Sequence, residues 1–230
     1  MKYCSKFSLI IFFVILLIAK NGKAQKNMLT LNEQDYFEMP GLSVMLFHDN
    51  YPEGHQGGVT IIHHGVRVAG NGDLRLEPTP GQWQPVPAVG ERIVDREKQM
   101  LSVPCSYPDP ERDRTGFNPI DYPDLELKYR VNVKAEGASV RITVDLEEAL
   151  PAEWIGKVGF NLEFFPGALF GKSYAMSNEV GIFPRQLNGP MVRDQEGNFR
   201  IKPLAEGNAL VVAPEDESQR LKIESVNGIL

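Results

Sequence analysis

Cysteine is almost missing from this chain of 230 residues, which carries only Cys4 and Cys105. Cys4 lies in the first 24 residues, so a chain that loses that stretch keeps one thiol. One thiol excludes an intrachain disulfide and any cysteine-based zinc cluster. A long apolar run is missing too. Residues 7–19 form the longest one, and Lys20 ends it well short of the roughly 20 residues that a membrane span needs. Positive charge is scarce, with 24 Lys and Arg against 30 Asp and Glu. That balance excludes nucleic acid as a partner, because such binding rests on clustered cations that neutralise phosphates. There is no Gly-x-Ser-x-Gly nucleophile turn and no glycine loop for phosphate. Sustained helical periodicity is also lacking. "LEEALPAEWIGK" offers at most a turn or two around Pro151.

What is present begins with "MKYCSKFSLIIFFVILLIAKNGKAQ". Lys2 and Lys6 supply a positive start, an apolar run follows, and Gly22 and Ala24 are the small residues a signal peptidase requires. The pattern predicts a signal peptide over residues 1–24, cleavage after Ala24, and export to the periplasm, cell surface or medium. No membrane span is expected after cleavage. Removing the four lysines of that segment leaves 20 basic against 30 acidic residues, a net charge of −10.

The remaining residues 25–230 read as one all-β domain, an antiparallel β-sandwich with long Pro-rich loops. "LELKYRVNVKA" alternates apolar Leu125, Leu127, Tyr129, Val131 and Val133 with polar neighbours, and "SVRITVDL" alternates again after Gly137. Period-two alternation puts one face on a core and one in water, so 125–135 and 139–146 should pair as a hairpin. "GLSVMLFHD", "VGFNLEFF" and "ALVVAP" are apolar on both faces, as buried central strands are. Val59 to Val68 reads as a strand, followed by a turn at Gly70-Asn71-Gly72-Asp73 and a new strand from Leu74. Two segments, "EPTPGQWQPVPAVG" and "SYPDPERDRTGFNPIDYPD", are too rich in proline for central strands and read as long loops. "LKIESVNGIL" closes the sequence with a strand and an Asn227-Gly228 turn signal that leaves little returning strand. This favours a chain that forms the front of a longer protein.

Three of the four histidines, His55, His63 and His64, fall within ten residues. On a strand His63 and His64 point to opposite faces, His64 with Ile62, Val66 and Val68 and His63 with Ile61 and Arg67. A catalytic zinc needs three protein ligands with an open position, and this spacing does not provide them. The histidines therefore read as structural, with no metal site and no cofactor. Asp194-Gln195-Glu196-Gly197-Asn198 lacks the ligand spacing of a calcium loop and reads as a hairpin tip.

Glu53, Asp121, Asp124, Glu126, Asp216 and Glu217 are candidate acids in or near loops. A glycosidase needs two carboxylates across a cleft, and the sequence alone pairs none of them, so no catalytic residue is assigned. Among the aromatics, Trp83, Tyr107, Phe117 and Tyr122 fall in the two long loops. Trp83, Tyr107 and Tyr122 are candidate carbohydrate contacts, since a ring face suits the apolar face of a sugar. The alternative is that these rings pin the loops to the sandwich.

Several long phrases also carry a resemblance. "YFEMPGLSVMLFHDNYPEGHQGGVTIIHHGVRVAGNGDLRLEPTPGQWQPVP", "GFNPIDYPDLELKYRV", "LPAEWIGKVGFNLEFFPGALFGKSY" and "GIFPRQLNGPM" together resemble the N-terminal region of large secreted, cellulase-like glycoside hydrolases of the family-nine type from Bacteroidetes. The resemblance covers nearly all of residues 25–230 and contains no catalytic signature. It implies a modular chain in which a β-rich front region precedes an immunoglobulin-like module and an α/α-barrel with the catalytic carboxylates. It also implies a downstream catalytic module as partner and β-glucan or another polysaccharide as substrate of the whole. The competing expectation is a free-standing exported carbohydrate-binding protein.

Overall fold

The computed structural model describes residues 27–48, 57–77, 85–111, 122–184, 191–201, 203–226 and 228. Five strands come first: β1 (Thr30–Leu31), β2 (Phe37–Met39), β3 (Leu42–Leu46), β4 (Val59–His63) and β5 (Val66–Leu76). Then follow β6 (Ala88–Val89), β7 (Ile93–Asp95), β8 (Met100–Tyr107), β9 (Leu127–Glu136) and β10 (Ser139–Leu146). After a short 3-10 turn at Ala152–Trp154, β11 (Val158–Phe164) returns to the first group. The last strands are β12 (Ser173–Met176), β13 (Glu179–Ile182), β14 (Met191–Arg193), β15 (Phe199–Ile201), β16 (Ala209–Val212) and β17 (Leu221–Glu224).

All pairings are antiparallel. One sheet runs β1-β2-β3-β4-β5-β11 and a second runs β10-β9-β8-β6, with β7 also on β8. These two share one core, so the expected all-β sandwich is observed. Phe37, Val44, Leu46 and Val59 from the first sheet and Leu101, Val103, Tyr129, Val131 and Val133 from the second are all fully buried within it. A smaller sheet, β13-β12-β16-β17, has its own cluster of Leu169, Val212 and Ala213. Phe164 and Leu221 pack against both clusters. β14 and β15 form a separate hairpin around 194–198, where Gly197 takes a φ of 85°.

The 125–146 hairpin forms as the alternation predicts, although its first strand begins at Leu127. Glu136 faces Ser139, and Gly137 supplies the positive φ, 67°, that the first central position of a tight hairpin turn requires. β9 lies inside its sheet and buries every second residue, whereas β10 is the edge strand and its inward residues Val140, Ile142 and Val144 are only half-buried.

Two expectations are corrected. The turn lies at His64-Gly65, with φ values of 49° and 74°, and His63 faces Val66 across it. Positive φ at both central residues is the two-residue turn that matches strand twist. Gly70 to Asp73 is instead the middle of the eleven-residue β5, where the register with β4 slips. Gly72 is required there because a Cβ would stand 2.6 Å from Cβ of Val59. Asn71, at φ 52°, accepts from the Gly57 N–H and donates to Glu163. The turn-like residues thus build bulges in a strand. The second correction is β11, an edge strand with Phe160 45% exposed, where a buried central strand was expected. The Asn227 turn signal lies outside the described residues.

Candidate functional site

The ring candidates separate. Trp83 and Phe117 lie outside the described residues. Tyr107 is the last residue of β8 and is 3% exposed. Its ring stacks on Tyr129 at a centroid distance of 5.9 Å and 19°, and Tyr122 lies against it at 6.4 Å. The Tyr107 hydroxyl sits 3.2 Å from the Pro85 carbonyl and 3.3 Å from that of Leu74. Half-buried Tyr122 donates to the Val86 carbonyl at 2.6 Å. Both tyrosines therefore fasten the end of the first Pro-rich segment to the sandwich. With no exposed ring face, Tyr107 is corrected from a sugar contact to a core anchor.

Beneath these rings sits a polar cluster that sequence reasoning missed. Tyr129, from β9, donates to Oδ2 of Asp73 at 3.0 Å, while Oδ1 accepts the Leu74 N–H at 2.7 Å. Burial pushes the Asp73 carboxyl up to about 7, and the two hydrogen bonds oppose that shift without overcoming it. Burial, and then the negative charge of Asp73, also raise the Cys105 thiol and the Tyr129 phenol. A thiol held in its protonated form is a poor nucleophile and metal ligand. The Tyr side of this cluster was legible as core. Asp73 was not, because it stood in what read as a turn.

The histidines come closer than strand geometry allows. Because His64 occupies the turn, the His63 and His64 rings meet edge-on with centroids 4.5 Å apart. Burial first, then the neighbouring His64, lowers the His63 pKa. His48 is also lowered, by burial and then by Arg92, whose Nη1 lies 2.5 Å from its Nδ1. Both rings are thus biased toward the neutral form at pH 7. Among the described residues, no three His, Cys, Asp or Glu side chains group for a metal ion. His55, Glu53 and Asp121 lie outside the described residues. Asp124, Glu126, Asp216 and Glu217 are exposed, and Asp216 closes its own turn by accepting from the Ser218 N–H at 2.9 Å.

A concave site appears on the outer face of the six-stranded sheet. It has a volume of about 520 Å³, and Thr30, Asn32, Tyr36, Glu38, Ser43 and Ile62 contribute to its walls. Thr30 faces Glu38, Glu38 faces Ser43 and Ser43 faces Ile62, so four strands present one continuous row. Asn32 organises one end. Its Oδ1 accepts from the Gln34 and Tyr36 N–H groups, and its Nδ2 donates to Oε2 of Glu38 at 2.6 Å. The outward alternation of "FEMPGLSV" was the available signal, but the tight turn that brings Asn32 beside Glu38 had no separate signature.

Comparisons with protein-family models, curated proteins and solved structures give no match for this chain.

Proposed function

We propose that this chain is the non-catalytic β-sandwich segment at the front of an exported polysaccharide-degrading glycoside hydrolase, where it scaffolds a downstream catalytic module. The observation that carries the reading is the inward use of Tyr107 and Tyr122. Tyr107 and Tyr122 commit their hydroxyls to the Pro85, Val86 and Leu74 carbonyls, which stiffens the sandwich into a platform. The family resemblance supports the same assignment. A second reading, a free-standing exported carbohydrate-binding protein, is favoured by the open groove beside Tyr36 and Glu38.

Reading the gene beyond codon 230 separates the two. The scaffold reading expects an open frame into an α/α-barrel, and a full protein that melts several degrees lower once residues 25–230 are removed. It also expects purified residues 25–230 to release no reducing sugar from β-glucan. A stop codon directly after Leu230, or hydrolysis by the isolated segment that one acid substitution abolishes, overturns it.

A further inference from the structure

We infer that the groove across β1 to β4 is a binding site for a neutral oligosaccharide, an inference that rests on the glycan-directed reading above. Four observations point to this ligand. First, the polar part of the groove's lining consists of neutral hydrogen-bonding groups, among them the Thr30 and Ser43 hydroxyls, set beside one carboxylate, Glu38. A carboxylate accepts from sugar hydroxyls and repels anionic ligands, which the overall acidity of the chain also disfavours. Second, the carboxylate is positioned before any ligand arrives. The Asn32 amide holds one oxygen of Glu38, and Asn32 is itself fixed by two backbone N–H groups. Such preorganisation lowers the cost of ordering a site. Third, Tyr36 and Ile62 supply apolar surface beside these polar groups, the combination that suits a sugar with one apolar face. Fourth, the row spans three inter-strand spacings, about 14 Å in all. An extended ligand lying across the strands can therefore meet Thr30, Glu38, Ser43 and Ile62 in turn.

This assigns the glycan contact to the β1–β4 sheet face instead of to Trp83, Tyr107 or Tyr122. Glu38 is a binding group here and has no partner carboxylate assigned for hydrolysis.

The test is calorimetric titration of residues 25–230 with cellohexaose, xylohexaose and mannohexaose, with melting curves confirming the fold of each variant. At least one probe is expected to bind. Tyr36→Ala should weaken it about 3- to 10-fold, the range expected for one stacked ring, while Tyr36→Phe should stay within about twofold because the ring is kept. Glu38→Gln, which keeps the shape and the Asn32 contact, should weaken binding about threefold or more through loss of the charged acceptor. Binding that these changes leave intact and Trp83→Ala removes would overturn the groove while sparing the glycan reading. Failure of all three probes to bind would overturn both the groove and the carbohydrate-binding reading. It would leave the scaffold reading to be judged by the truncation experiment.

Discussion

The two-sheet sandwich and the four-stranded sheet β13-β12-β16-β17 are built from the same kinds of residue, yet they hold together very differently. Among the described residues, twenty buried ones form the sandwich core and three form the smaller one, so most of the hydrophobic stabilisation lies in the first. The small sheet buries one face, where Tyr174 sits at 9% exposure and Met176 at 7%, and the Tyr174 ring covers Gly181 of the neighbouring strand. Its other face is open. Val180 is 80% exposed and Ile182 67%, on an edge strand. A sheet becomes independently stable when something covers its apolar face. Among the described residues Phe164, Phe183, Leu221 and the residues around Leu169 do so; Phe164 and Leu221 also pack on the sandwich core, and the smaller sheet therefore borrows stability from it.

The sharpest break in that comparison comes from a polar side chain placed in each region. Val131→Asp puts a carboxylate without a partner at a fully buried position of β9, and should cost at least about 4 kcal/mol and prevent folding. Circular dichroism and a urea melt would show it. Val180→Thr in the open face should fall within about 0.5 kcal/mol of the parent.

Next in size is the pH response of the sandwich. The Asp73 carboxyl titrates near 7 when folded and near 3.8 when unfolded. Between those values the folded chain holds a proton that the unfolded chain has released, so this group's contribution to stability falls as pH rises from about 4 to about 7. Well above pH 7 the full penalty, roughly 4 kcal/mol, is present. Asp73→Asn keeps the shape, its oxygen can go on accepting the Leu74 N–H while its NH2 donates to the Tyr129 oxygen, and it should flatten this slope and raise the melting temperature at pH 8. An unchanged slope in urea melts across that window would show that Asp73 is not the group responsible.

Smaller effects should follow the edges. Ile142→Asp, on half-buried β10, should cost about 1–3 kcal/mol, clearly less than Val131→Asp. Val212→Ala in the small core should cost about 1–2 kcal/mol and speed hydrogen exchange in β12 and β16, leaving β8 and β9 unaffected.

The same contrast explains what the sequence revealed. The β9–β10 hairpin was legible because strict alternation and one glycine both pointed to it. β5 was misread because Gly70, Asn71, Gly72 and Asp73 are turn residues by composition, whereas the fold uses them where backbones approach closely. No local rule distinguishes a glycine needed for φ from one needed because Val59 lies 2.6 Å from its absent Cβ. The anchoring role of Tyr107 and Tyr122 was stated as one alternative, but choosing it required the Pro85 and Val86 carbonyls, more than 20 residues away in sequence. Asp73 and Tyr129 are 56 residues apart, and only the stacking of two sheets brings them together. The groove was hidden for the same reason, since its row is assembled across four strands.

The claim that one shared core dominates this protein is tested most directly by native-state hydrogen exchange. The account predicts that the amides of Leu101, Val103, Val131 and Val133 exchange only through global unfolding, with one common free energy, while those of Ala175, Met176, Val211 and Val212 open at a distinctly lower one. Equal protection of the two sets, or stronger protection in the small sheet, would contradict it.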